Sequence, residues 1–205
     1  MRVRFKSLLL AGVLAIAVAC TDSTRPGDNG GPVPQDSLTI LRLAQGSPRP
    51  ETDSVSFYAV YGQNREGTIQ FVGGEDFLTF KVDDFSLFKD PNGNLYGPGD
   101  SVLITIKMVG TDSFYFAFSP HGIVFNPLRP AELKLEYGHA GETVEGDLNG
   151  DGLVNSQDDT LETELHIWIQ ESPGGTFTPL SVLTEFDLNE IEAEIPGFSR
   201  FALAY

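Results

Sequence analysis

Past residue 38 the chain alternates apolar and polar side chains with a period of two. Ile104, Ile106 and Met108 are separated by Thr105 and Lys107, and Phe114, Phe116 and Phe118 by Tyr115 and Ala117. Leu133, Leu135 and Tyr137 alternate with Lys134 and Glu136. The same holds for Leu165, Ile167 and Ile169, and for Ile191, Ala193 and Ile195. Successive side chains of a strand point to opposite faces, so each run predicts a strand with one buried and one wet face. Further strands are expected over 38–44, 55–61, 68–72, 77–82, 181–186 and 200–205. Asp90-Pro91-Asn92-Gly93-Asn94 and Gly97-Pro98-Gly99-Asp100 supply turn chemistry between them. Many short strands with almost no helical pattern predict an all-β fold, an antiparallel β-sandwich over residues 38–205.

The start of the chain follows a different rule. Arg2, Arg4 and Lys6 precede an apolar run from Leu8 to Ala19. That run is shorter than the roughly 20 residues of a spanning helix and fits the apolar region of a secretory signal over 1–19. It ends in Ala17-Val18-Ala19-Cys20, which resembles the lipobox of bacterial lipoproteins. The resemblance implies cleavage before Cys20 and acylation of its sulfur, hence an exported chain held on the cell envelope. Stable anchoring takes more than one acyl chain, at about 0.8 kcal/mol per buried methylene. Residues 20–37 then read as a lipidated cysteine and a disordered tether. Val33 is the one large apolar residue after Cys20 in that stretch, too little to offset the entropy of ordering.

Charge narrows the choice of partners. Thirteen basic against 29 acidic residues leave a formal charge of −16. Phosphate binding relies on Lys and Arg to displace counterions, so nucleic acid is an unsuitable ligand. A single cysteine excludes an internal disulfide framework.

Pro120-His121-Gly122-Ile123-Val124-Phe125-Asn126-Pro127 and Pro130-Ala131-Glu132-Leu133-Lys134-Leu135-Glu136-Tyr137 resemble the central part of the ZU-five domain. The stretch from Ile195 to Ala204, with Phe198-Ser199-Arg200-Phe201-Ala202-Leu203 at its centre, resembles the strand that closes such domains. The likeness spans roughly 77–205 and implies a protein-binding sandwich without catalysis. Some relatives of that fold cleave themselves within a His-Phe-Ser sequence. Here Gly197 stands before Phe198, and His121, His139 and His166 all lie elsewhere, so Ser199 is expected in a closing strand.

Asp147-Leu148-Asn149-Gly150-Asp151-Gly152-Leu153-Val154-Asn155-Ser156-Gln157-Asp158 is the most specific stretch. It sets oxygen side chains at loop positions 1, 3, 5, 9 and 12, the alternation that turns donors inward around Ca²⁺. Gly152 takes the sharp turn at position 6, where no Cβ is tolerated. The metal ligands are therefore expected to be Asp147, Asn149, Asp151, the Leu153 carbonyl, Asn155 and Asp158, with Val154 tucked into the core. An EF-hand carries Glu at position 12. Asp158 there resembles dockerin repeats, and the likeness implies that its carboxylate closes the shell. Eight acidic side chains and no Lys or Arg lie from Glu142 to Glu164, and a divalent ion would leave the three loop Asp only one charge in excess. One such loop, followed by a short helix near 157–164 and then a strand, reads as a structural calcium staple inserted between two strands. Asp90, Asn92 and Asn94 lack the later ligands and read as a hairpin turn.

With three His and one Cys, a catalytic triad has few candidates, and no enzyme activity is expected. The expected role is a calcium-binding, membrane-anchored binding or scaffold module, acting as a monomer on a protein partner. The alternatives are a carbohydrate-binding module, with Trp168, Tyr96 and Tyr61 as its aromatics, and a dockerin-like docking module.

Overall fold

The structure is a computed structural model that describes residues 31–205. The signal segment 1–19, Cys20 and the beginning of the expected tether lie outside the described residues. The first half holds β1 (Ser54–Val60), β2 (Arg65–Gln70), β3 (Asp76–Val82), β4 (Leu87–Lys89), β5 (Ser101–Met108), β6 (Tyr115–Ser119) and β7 (Val124–Phe125). It continues with β8 (Ala131–Glu136), a helix α1 (Ser156–Glu162), β9 (His166–Gln170) and β10 (Phe177–Pro179). The chain closes with β11 (Val182–Glu185), β12 (Glu190–Ile195) and β13 (Arg200–Ala204).

All the pairings between these strands are antiparallel. One sheet runs β1-β5-β6-β13-β9-β10 and another β11-β12-β8-β3-β2, with β4 and β7 forming a separate two-stranded piece. The expected all-β class is therefore what forms. Ile104, Ile106, Phe116, Phe118, Ile167 and Phe201 of the first sheet join Phe77, Phe80, Leu133, Leu135 and Ile191 of the second in one core. Phe77 meets Phe114 edge-on at 5.1 Å between centroids, and Phe80 meets Phe118 at 5.1 Å in the same way. Such edge-to-face pairs add about 0.5–1.5 kcal/mol beyond burial.

The first sheet is covered on its other face as well. Tyr115, Trp168, Phe177, Ala202 and Ala204 make a second buried cluster, against which Val33, Leu38 and Ile40 pack. This corrects the expected tether, because 33–37 is not free. Val33 and Phe177 exchange backbone hydrogen bonds of 2.8 and 2.7 Å, and a single 3-10 turn over Gln35–Ser37 leads on to residue 38. Composition gave no sign of this, since one valine suffices when an apolar surface already waits for it. Residues 38–44 also depart from a regular strand. They attach through isolated bridges, Ile40 to Ala204, Arg42 to Ser113 and Leu43 to Ala140. Leu41 donates to Leu203 and accepts from Phe114, both at 2.9 Å, so this segment wedges between the end of β13 and the residue before β6.

Candidate functional site

The loop expected to hold calcium joins β8 to β9, and α1 begins inside it at position 10. Asp147 and Asp158, its first and last oxygen residues, are both buried, at 0% and 3% exposure. Asp158 gathers donors from its own loop, and Asp147 from its loop and from Thr143 just before it. Asp147 accepts from the Gly150 amide at 2.9 Å, the Gly152 amide at 3.1 Å and the Thr143 hydroxyl at 2.6 Å. The Thr143 hydrogen bond, followed by those backbone amides, holds the Asp147 carboxyl below its ordinary pKa despite the opposing effect of burial. Asp158 accepts from Leu148 at 2.9 Å, Asn149 at 3.1 Å and Asn155 at 2.9 Å.

The middle of the loop is a run of side-chain turns. Asn149 accepts from the Asp151 amide, Asp151 from the Leu153 amide and Asn155 from the Gln157 amide, each at 2.8 Å. Asn155 is the N-cap of α1 and forms a capping box with Asp158, which starts the helix without any apolar periodicity. Gly150 and Gly152 sit at φ of +77° and +84°, the left-handed region that glycine enters without strain. A helix of seven residues with one buried member, Asp158, owes its place to this cap. It spans 156–162, close to the expected stretch.

One loop position differs from expectation. Val154 is not tucked in; it is 59% exposed, and Leu148 at position 2 is the apolar residue that the core takes. The Val154 methyls lie against Gly146 instead, 3.4 and 3.5 Å from where a Cβ would stand there. Leu153 is also exposed on the rim.

Among the described residues, no three Asp, Glu, His or Cys side chains converge as a metal cluster. Amide and carbonyl oxygens must therefore complete any shell here. The donor chemistry does fit a hard cation. A carboxylate offers about four acceptor sites. Asp158 uses three of them on loop donors, whereas Asp147 is met by the Gly150 and Gly152 amides and by both the hydroxyl and the backbone of Thr143, so an ion at Asp147 would share oxygens that already accept.

The loop is fastened from outside by residues that the sequence pattern did not mark. The Tyr205 hydroxyl donates to the Leu148 carbonyl, and Gly141, just upstream, donates to Arg42 at 2.9 Å. Beside it, His139 lies between two carboxylates, Nδ1 at 2.7 Å from Glu145 and Nε2 at 3.2 Å from Glu75, while Ser47 donates to Glu145 at 2.8 Å. A histidine between two glutamates at separations of 6 and 64 residues leaves no spacing motif to find.

The other candidates resolve plainly. Asp90 accepts from the Asn92 and Asn94 amides at 2.8 Å, the hairpin turn expected there. Ser199 is buried, and its hydroxyl donates to the Gln170 carbonyl just before β13. Trp168 is 1% exposed and spends its indole N–H on the Ala204 carbonyl at 3.0 Å, so it offers no platform for a sugar. No helix among the described residues is long and apolar enough to cross a membrane. No family model, characterised protein or solved structure matches this chain. The ZU-five and dockerin likenesses thus rest on their motifs alone.

Proposed function

We propose that this chain is an exported, lipid-anchored module of the cell envelope, a non-catalytic ZU-five-like β-sandwich whose 147–158 loop takes one Ca²⁺. Asp147, Asn149, Asp151, the Leu153 carbonyl, Asn155 and Asp158 would hold the ion, and Cys20 would carry the acyl chains. A calcium ion bound there supplies charge neutralisation and crosslinking, not chemistry on a substrate. The observation that carries the reading is the burial of Asp147 and Asp158 at the two ends of one twelve-residue loop with dockerin spacing. Ca²⁺ takes six to eight oxygens, and oxygen side chains at loop positions 1, 3, 5, 9 and 12 with the Leu153 carbonyl supply the set that this reading requires.

The staple role follows from what the loop joins. Leu148 of the loop accepts from Tyr205, the residue after β13, and Gly141, upstream in the same β8–β9 connection, donates to Arg42, so an ion in the loop would stiffen the connection that both contacts hold. Thermal melting of the full chain in chelator and in millimolar calcium tests the reading, with Asp147→Ala and Asp151→Ala as controls. A rise in midpoint that both variants lose supports the staple; equal midpoints in the parent chain reject it. Metabolic labelling with a lipid analogue, lost on Cys20→Ser, tests the anchor separately.

A further inference from the structure

The two larger sheets have four edge strands, each paired with one neighbour in its sheet, and other parts of the chain lie against three of them. The edge of β2 is met by the segment before β1, where Glu51 donates to Gln70 at 2.8 Å and Val72 to Arg49 at 2.9 Å. β1 lies against β2, and the Phe57 ring fills the space where a side chain at Gly67 would stand. β10 is covered by Val33. The fourth edge, β11, pairs with β12 alone among the described strands. Edge strands are usually guarded by Lys, Pro or a bulge, since their free N–H and C=O groups template another strand. β11 reads Val182-Leu183-Thr184-Glu185, without Lys, Pro or a shift in register. Leu183 is 63% exposed, and Phe186 and Leu188, which follow, are exposed too.

A groove adjoins the start of this strand. It has a volume of about 570 Å³, and Pro127, Pro130, Leu180, Val182 and Pro196 are among its lining residues. Glu192 and Glu194 rim it. The solvent face beyond is crowded with like charge, because Glu185 pairs with Glu190 and Glu190 with Glu136 directly across three strands. Carboxylates placed directly opposite destabilise a sheet. Lys134 lies 3.2 Å from Glu190 and 3.7 Å from Glu136, one cation for that row. Burial first, and then the nearby Glu132 carboxylate, raise the Glu192 pKa, with Lys81 and Lys134 opposing them.

We infer that the β11 edge and its groove receive an extended peptide of alternating basic and apolar residues, added as a further strand. Main-chain hydrogen bonds to β11 supply the pairing and the groove takes the apolar side chains, as in strand addition generally. The basic side chains fall over the Glu185–Glu190–Glu192 face. A second copy of this chain is disfavoured as the occupant, since it would bring the same carboxylates against themselves. The inference deepens the reading of the chain as a binding module by naming a partner class, and it does not depend on the calcium loop.

The test is a titration of the full chain with a labelled decapeptide of alternating Lys and Val, followed by anisotropy in chelator and in millimolar calcium. Alternate backbone N-methylation of the peptide keeps its charge and removes its donors, and is expected to weaken binding at least tenfold. Glu192→Gln with Glu194→Gln is expected to weaken it several-fold and to flatten its salt dependence. Both substitutions are on the solvent-side rim and leave the core intact. Equal binding of the methylated peptide, or of a Glu–Val peptide, overturns the inference. So does sedimentation showing a dimer that excludes the peptide. A chain that binds the peptide but ignores calcium loses the staple and keeps the edge site.

Discussion

The Tyr205 hydroxyl lies 2.6 Å from the Leu148 carbonyl, joining the residue after β13 to the second position of the 147–158 loop. The two are 57 residues apart in the chain. Burial, its leading influence, raises the Tyr205 pKa, and the carboxylates of Glu142, Asp158 and Asp147 push the same way, so it stays a neutral donor at ordinary pH.

Removing that donor has a defined cost. Tyr205→Phe keeps the ring and loses one hydrogen bond, worth about 0.5–1.5 kcal/mol. For a domain of this size that is a fall of roughly 1–6 °C in melting midpoint. Differential scanning calorimetry measures it, and an unchanged midpoint would show that the pin contributes nothing.

A buried and an exposed loop carboxylate should behave differently. Asp158→Ala leaves the amides of Leu148, Asn149 and Asn155 without their acceptor, and a buried group left so costs about 1–3 kcal/mol. That loss appears even in chelator. Asp151 is exposed and accepts mainly from Leu153, so Asp151→Ala should lower the midpoint chiefly when calcium is present. Melting both variants in the two conditions separates the helix cap from the ion ligand; identical losses in both conditions would merge them.

For the loop itself, calcium at a hundred times its dissociation constant stabilises by about 2.7 kcal/mol. That corresponds to a rise of roughly 5–10 °C. Chelator should reverse it fully, and magnesium, which demands tighter octahedral geometry, should reproduce little of it.

His139 gives a pH dependence with a fixed sign. Burial pulls its pKa down, but hydrogen bonds to Glu145 and Glu75 outweigh that and hold it above the ordinary imidazole value. A pKa raised in the folded state contributes stability that is complete below about 6.5 and is lost as pH rises through the folded value. Urea midpoints should therefore fall from pH 6 toward pH 8, and His139→Gln should flatten that slope. Imidazole resonances that titrate at or below the ordinary value would reject the arrangement.

Gly197 tests the crossing between β12 and β13. A Cβ there would stand 2.6 Å from the Ile123 carbonyl oxygen, a backbone atom that cannot rotate away. Gly197→Ala should cost about 1–3 kcal/mol through overpacking. Hydrogen exchange at Phe125 and Phe198, whose amides bond across this junction, should rise first.

Much of the fold was legible because period-two alternation survives wherever one face of a strand is buried. Phe114, Phe116 and Phe118 are fully buried, as their spacing demanded. β4, β7 and β10 are two or three residues long, below the length at which alternation can be seen. The 33–44 segment was misread at both ends for one reason. Its contacts with Phe177, Leu203 and Ala140 are backbone bridges to distant residues, and no local pattern encodes them. The loop showed the same division. Its Asp and Asn turns are local and follow from spacing, whereas Thr143, Tyr205 and the His139 cluster reach it from outside the twelve residues.

The way residues 33–44 are laid down has a mechanical consequence. Contacts made in series along a chain are loaded in the order in which a pull from one end reaches them. A tug arriving from the N-terminal side meets the two hydrogen bonds of Val33 first and the Leu41 wedge only after them. The edge of β10 and the cluster around Trp168 would therefore give way while the main core still held, a weak link placed upstream of everything else.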